Sequence, residues 1–217
     1  MTKAAIFDMD GVLVDNTLWH IDAWKTFSER HSVNISDEQI INNLGNTNAD
    51  YLNFLFGRTL SPYEIIAYGI EKEEIYRKLY SEHIKPLNGL MDLLDLLDRE
   101  AFSIGLATSA PSINVDFTLD RLDIKNRFRT IVDVTSIKKG KPDPEIYLLA
   151  AQRLGVTTSK CIVFEDSIHG IQAAVSAGMH TIGVLTSQRK EKLGMADYLI
   201  SDFREITAEL LNRILRN

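Results

Sequence analysis

Basic residues are in short supply. Only 24 Lys and Arg stand against 30 Asp and Glu in 217 residues, for a net charge of −6, and no basic stretch is longer than Lys138-Lys139. A nucleic-acid partner, which needs cations to replace the phosphate counterions, is therefore not expected. Cysteine is limited to Cys161, which excludes an internal disulfide and a thiolate pair for zinc. Set in an apolar strand, Cys161 reads as a small buried hydrophobe. Unbroken apolar runs last only a few residues, far short of the roughly 20 that a spanning helix needs, so no membrane partner is expected either. The first residues meet carboxylates at Asp8 and Asp10, unlike a signal peptide. No internal repeat and no low-complexity segment is present. The expectation is a soluble cytoplasmic monomer.

What is there falls into three parts. A short apolar strand, residues 4–7, ends in Asp8-Met9-Asp10-Gly11. Residues 16 to about 84 then read as helix throughout: Trp19, Ala23, Trp24 and Phe27 recur at helical spacing, and Ser36-Asp37-Glu38-Gln39 and Ser61-Pro62-Tyr63-Glu64 are capping boxes. From Pro86 and Asn88-Gly89 onward, strands and helices alternate. Strands are expected at 103–108, 130–132, 161–164 and 181–185, and helices at 111–121, 144–154 and 167–177. Leu93, Leu94, Leu96 and Leu97 form an apolar helical stripe that belongs to a core. The alternation predicts an α/β fold, a doubly wound parallel sheet with helices on both faces. Residues 1–15 and 86–217 form its core domain, and residues 16–85 are a helical insertion. The insertion is the more acidic piece, with 6 Lys/Arg against 10 Asp/Glu over residues 16–84.

In an open parallel sheet, ligands bind beyond the carboxyl ends of the strands. Strand one ends in Asp8 and Asp10, the next in Thr108-Ser109, and the Cys161 strand in Glu165-Asp166; the loop Gly140-Lys141-Pro142-Asp143-Pro144 adds a lysine between turn formers. Like charges roughly 4 Å apart repel by about 4 kcal/mol at an effective dielectric near 20. Four acids on one edge therefore need protons or a divalent cation. Oxygen donors without His or Cys favour Mg²⁺, which pairs with phosphate. A calcium loop is excluded because Gly11 directly follows Asp10 and Val12-Leu13-Val14 is apolar; Lys138-Lys139-Gly140-Lys141 lacks the spacing of a P-loop.

The segments Phe7-Asp8-Met9-Asp10-Gly11-Val12-Leu13-Val14-Asp15, Thr108-Ser109, Gly140-Lys141-Pro142-Asp143-Pro144 and Phe164-Glu165-Asp166-Ser167 resemble the four motifs of the haloacid-dehalogenase superfamily. The helical insertion and the Glu-Asp form of the last motif make the chain similar to the β-phosphoglucomutase-like branch. The resemblance implies a Rossmann-like core with a helical cap domain, and phosphoryl rather than carbon–halogen chemistry, because of Asp10. It implies that Asp8 is a nucleophile forming an aspartyl phosphate and that Asp10 is the general acid and base. By the same resemblance Thr108, Ser109 and Lys141 bind the transferring phosphoryl group, and Asp8, Asp10, Glu165 and Asp166 hold Mg²⁺.

The insertion decides the substrate, and there the match is mixed. His20, Trp24 and Lys72 fall where sugar-phosphate mutases of the branch have substrate-side residues, though Lys72, within Glu71-Lys72-Glu73-Glu74, also reads as an ordinary solvated charge. Those mutases carry a Lys-Gly pair and an arginine in the loop that grips a second phosphate, whereas here Asn43-Leu44-Gly45-Asn46-Thr47-Asn48 has no cation. The leading expectation is thus a Mg²⁺-dependent phosphatase acting on a small phosphorylated metabolite, a sugar phosphate foremost. A β-phosphoglucomutase-type phosphohexomutase is the alternative. A phospho-receiver module also combines acids, Thr and Lys on a parallel sheet, but has no use for an insertion this long.

Overall fold

The computed structural model describes residues 2–43 and 47–216. In chain order the elements are β1 (Lys3–Phe7), α1 (Thr17–Arg30), α2 (Asp37–Asn43), α3 (Asn48–Phe56), α4 (Pro62–Tyr80), α5 (Leu90–Arg99), β2 (Phe102–Ala107) and α6 (Ser112–Leu122). They continue with β3 (Thr130–Val132), α7 (Glu145–Leu154), β4 (Cys161–Glu165), α8 (Ile168–Ser176), β5 (His180–Val184), β6 (Tyr198–Ile200) and α9 (Ala208–Ile214).

Among the described residues the strands form one six-stranded sheet in the order β3-β2-β1-β4-β5-β6, and every pairing is parallel. Because successive side chains alternate in direction, each strand feeds two cores. Ala5, Phe7, Ile104, Leu106, Ile162 and Phe164 pack on one face under α5, α6 and α9, where Leu93, Leu94 and Leu97 supply the expected stripe. Ala4, Ile6, Cys161 and Val163 pack on the other under α7 and α8. Cys161 is fully buried. Strand order reverses at β1, so the gap between the carboxyl ends of β1 and β4 is the topological switch point of the sheet.

The expected elements are present, most within a residue of their expected limits. The insertion forms four helices, α1–α4, and α2 and α4 start at the two expected capping boxes. Thr47 and Ser61 cap α3 and α4 with their hydroxyls, and Gly57 ends α3 in the left-handed region at φ 62°. Both capping boxes form: Ser36 and Gln39 exchange bonds of 2.9 and 3.2 Å, and Ser61 and Glu64 bonds of 2.8 and 3.3 Å. These helices surround a core of their own, including Trp24, Phe27, Tyr51, Leu52 and Tyr76. The chain passes to the insertion helices beyond Leu13 and comes back at Leu87, whose N–H donates to the Leu13 carbonyl at 2.9 Å. The two crossings therefore run side by side.

Candidate active site

The register of the sheet sets the first part of the site. Phe7 pairs with Phe164, their rings stack 4.6 Å apart at 8°, and the next N–H, that of Asp8, donates to the Phe164 carbonyl at 3.0 Å. Asp8 and Glu165 consequently emerge side by side. Gly11 then turns the chain at φ +74°, and a Cβ there would overlap the Asp166 carboxylate. Likewise a Cβ on Gly170 would overlap Glu165. Both glycines let backbone approach an acid more closely than any other residue would permit.

Lys141 reaches in from the loop before α7. Its Nζ lies 2.6 Å from Asp8 Oδ1 and 2.6 Å from Glu165 Oε1, and 3.4 Å from the Ala107 carbonyl at the end of β2. Burial alone would lower the pKa of this ammonium, but Asp8 and Glu165 raise it well above the usual lysine value, so it stays charged. Tyr147 Oη donates to Glu165 Oε1 at 3.1 Å. One lysine does not neutralise all the acids. Burial, with Glu165 and Asp10 adding to it, pushes the Asp8 carboxyl up to about 7 against the pull of Lys141. Burial, followed by Glu165 and Asp8, likewise raises Asp166 well above the usual carboxylate range. Among the described residues no three acid, imidazole or thiolate groups converge on a single point as a ready cation cage. The donor set nonetheless suits a hard divalent cation: buried carboxylates in excess of their one lysine, with no nitrogen or sulfur ligand among them.

Beyond β2, Thr108 is buried and its Oγ1 accepts the Ala110 N–H at 3.1 Å. Ser109 Oγ beside it is buried and makes no hydrogen bond. Asp10 faces α1, where Asn16 Nδ2 donates to its Oδ1 at 2.6 Å and to Tyr76 Oη at 2.7 Å, while Asn16 Oδ1 accepts the Gly11 N–H at 3.2 Å. His20 Nε2 stands 3.7 Å from the same Asp10 oxygen. Burial would raise Asp10, but the nearby His20 imidazole, the Asn16 hydrogen bond and the charge of Lys72 hold its carboxyl below the usual value.

The helical side of the cleft is a polar network set in aromatic walls. His20 stacks on Tyr76 at 3.9 Å, and its Nδ1 lies 2.9 Å from Lys72 Nζ. Lys72 is only 2 % exposed, which overturns its reading as a solvated charge: it bonds Glu73 Oε1 at 3.0 Å and lies 4.9 Å over the Trp24 ring. Trp24 stacks on Tyr51 at 3.9 Å and belongs both to the insertion core and to the cleft wall. Asn48 Nδ2 donates to Glu73 Oε1 at 2.9 Å, and Asn114 Nδ2, from α6, donates to Glu73 Oε2 at 2.6 Å.

Every site residue expected from the sequence thus lines one cleft between the sheet edge and the helices: Asp8, Asp10, Thr108, Ser109, Lys141, Glu165 and Asp166 below, His20, Trp24 and Lys72 above. Asn16, Glu73, Asn114 and Ser187 line it too and were not anticipated. Of the cation-free stretch 43–48, Leu44, Gly45 and Asn46 lie outside the described residues.

A strand-order switch point carrying Asp-x-Asp, a buried lysine and a Glu-Asp pair defines a class, and comparison with known proteins agrees. Residues 5–184 match the haloacid dehalogenase-like hydrolase family. The chain is 36 % identical over 223 aligned positions to the beta-phosphoglucomutase of Bacillus subtilis, covering 97 % of this chain and 94 % of that one. It is 33 % identical to the phosphorylated carbohydrates phosphatase of Thermotoga maritima, covering 85 % and 86 %. Among solved structures, the beta-phosphoglucomutase of Clostridium difficile is similar at a TM-score of 0.90 and 29 % identity, covering 100 % of this chain and 98 % of that one. The chain belongs to the haloacid dehalogenase-like hydrolase family. It is an enzyme, a hydrolase or a mutase. Among the described residues no helix is long and apolar enough to cross a membrane.

Proposed function

We propose that this enzyme is a Mg²⁺-dependent phosphatase of small phosphate monoesters, sugar phosphates foremost, that works through an aspartyl phosphate on Asp8. The observation that carries the reading is Asp8 at the switch point, held 2.6 Å from Lys141, with Asp10 two residues on and turned toward the helices. Asp8 Oδ attacks phosphorus as the bond to the ester oxygen breaks, and Asp10, ionised in the free enzyme, takes up a proton when the substrate dianion binds and gives it to that oxygen. Asp10 then takes a proton from the water that attacks the phosphorus of the aspartyl phosphate, releasing inorganic phosphate and restoring Asp8. Lys141 balances negative charge on Asp8 and on the phosphoryl oxygens, and Thr108 and Ser109 hold those oxygens by hydrogen bonds. Ser109 Oγ, buried and unbonded, has its donor to spare for this. Asp8, the Asp10 carbonyl, Glu165 and Asp166 would hold the Mg²⁺, whose charge would offset that of the acids and of the phosphate. The helical insertion, residues 16–85, acts as the cap that keeps bulk water from the site.

The test is phosphate release from a panel of esters with and without Mg²⁺, using the native chain and Asp8→Asn. Release that needs both the metal and Asp8 supports the reading; no release from any ester rejects it. A phosphohexomutase is the second reading, favoured by the Bacillus subtilis relative and by the gathering of His20, Trp24 and Lys72 over the site. It requires conversion of β-glucose 1-phosphate to glucose 6-phosphate after priming with a bisphosphate, and an aspartyl phosphate that outlasts exposure to water.

A further inference from the structure

We infer that Glu73 restricts this site to monophosphates whose far end is uncharged and rich in hydroxyls. The inference rests on the phosphoester reading of the site and adds to it the chemistry of the rest of the substrate. Opposite the Asp8–Lys141 edge, the nitrogen donors gathered around Glu73 are the Lys72 ammonium and the amides of Asn48 and Asn114. All three are already committed to one carboxylate. Lys72 Nζ and Asn48 Nδ2 bond Glu73 Oε1 at 3.0 and 2.9 Å, and Asn114 Nδ2 bonds Oε2 at 2.6 Å. Arg77 Nη1 donates to Asn114 Oδ1 at 2.7 Å and so fixes the amide that Glu73 accepts.

Glu73 itself is 4 % exposed and lines the cleft. A second phosphate reaching these donors would have to share them with Glu73, which would place a dianion directly beside a buried carboxylate whose charge already offsets that of Lys72. Discrimination here comes from a built-in repulsive group, not from an extra attractive one. A hydroxyl meets no such obstacle: it donates to a carboxylate oxygen of Glu73 while the existing bonds stay in place.

The test compares two pairs of probes, fructose 1-phosphate with fructose 1,6-bisphosphate and glucose 1-phosphate with glucose 1,6-bisphosphate. Affinities are measured by calorimetry with Mg²⁺ on Asp8→Asn protein, with and without Glu73→Gln, and kcat/KM is measured on the chain with Asp8 intact. At least one monophosphate is expected to bind about tenfold tighter than its bisphosphate, and Glu73→Gln is expected to remove most of that ratio, the scale on which one like-charge contact discriminates. Near-UV circular dichroism checks the fold of Glu73→Gln; should that variant not fold, the ratio in the Glu73 protein decides alone. Bisphosphates that bind as tightly as monophosphates, a ratio that Glu73→Gln leaves unchanged, or no binding of either monophosphate would overturn the inference. Selective binding without turnover of any ester would reject the phosphatase reading and leave this one standing.

Discussion

The ring of Phe7 lies flat against that of Phe164, 4.6 Å away, and each phenylalanine immediately precedes an acid of the site. The stack sits in the larger core beside Phe203, so the same apolar contact that ties β1 to β4 also fixes the spacing of Asp8 and Glu165. Phe164→Ala should destabilise the protein by about 3–5 kcal/mol and Phe164→Leu by under about 1.5 kcal/mol. Urea unfolding at constant m-value checks both.

Lys141 stands between two buried acids, and removing it should hurt more than removing either acid. Lys141→Met is expected to cost about 3–5 kcal/mol near pH 8 in chelator, because it leaves Asp8 and Glu165 buried without a counter-charge. The loss should shrink at pH 5, where Asp8, its carboxyl pushed up to about 7, takes a proton instead. Denaturant titrations of parent and variant at the two pH values measure the difference.

Asp10 and His20 should separate in kinetics. Asp10→Ala removes the proton carrier and should lower kcat by about 10²–10⁴-fold with a small change in KM. His20→Ala removes only a neighbour that holds the Asp10 carboxyl low, so its effect on kcat should be smaller. Steady-state rates on the best ester of the panel test the order.

Glu73 gives a pH signature to the fold itself. Burial would raise its carboxyl, but Lys72, His20 and the Asn48 amide hold it below the usual 4.5. A depressed acid contributes stability that is present above the unfolded value and is lost as pH falls through the folded one. Stability should therefore drop more steeply below about pH 4.5 in the native chain than in Glu73→Gln, as followed by melting between pH 6 and 3.

The lower half of the site was legible because each of its residues closes a strand or lies in a punctuated loop: Asp8 after β1, Thr108 after β2, Glu165 at the end of β4, Lys141 between Gly140 and Pro142. Local sequence states such placements directly. The upper half depends on contacts between distant residues. Asn16 meets Tyr76 across 60 positions and Glu73 meets Asn114 across 41, and no local pattern encodes either. Glu71-Lys72-Glu73-Glu74 looks like a solvated charge run because four charges in a row hide helical periodicity, which turns residues 72 and 73 inward and leaves 74 exposed. The strand β6 and the helix α9 are not legible in the sequence, because three residues at the sheet margin and seven near the chain end carry too little periodicity to announce themselves.

The outgoing and returning backbone meet at one place, where Leu87 N–H donates to the Leu13 carbonyl. Farther out, α4 is fastened a second time, by Glu73 and Arg77 to Asn114 of α6. Any widening of the cleft would have to break that outer fastening, while Asn16, close to the crossing, would keep its grip on Asp10. Substrate would enter at the far rim and meet the proton carrier already in position.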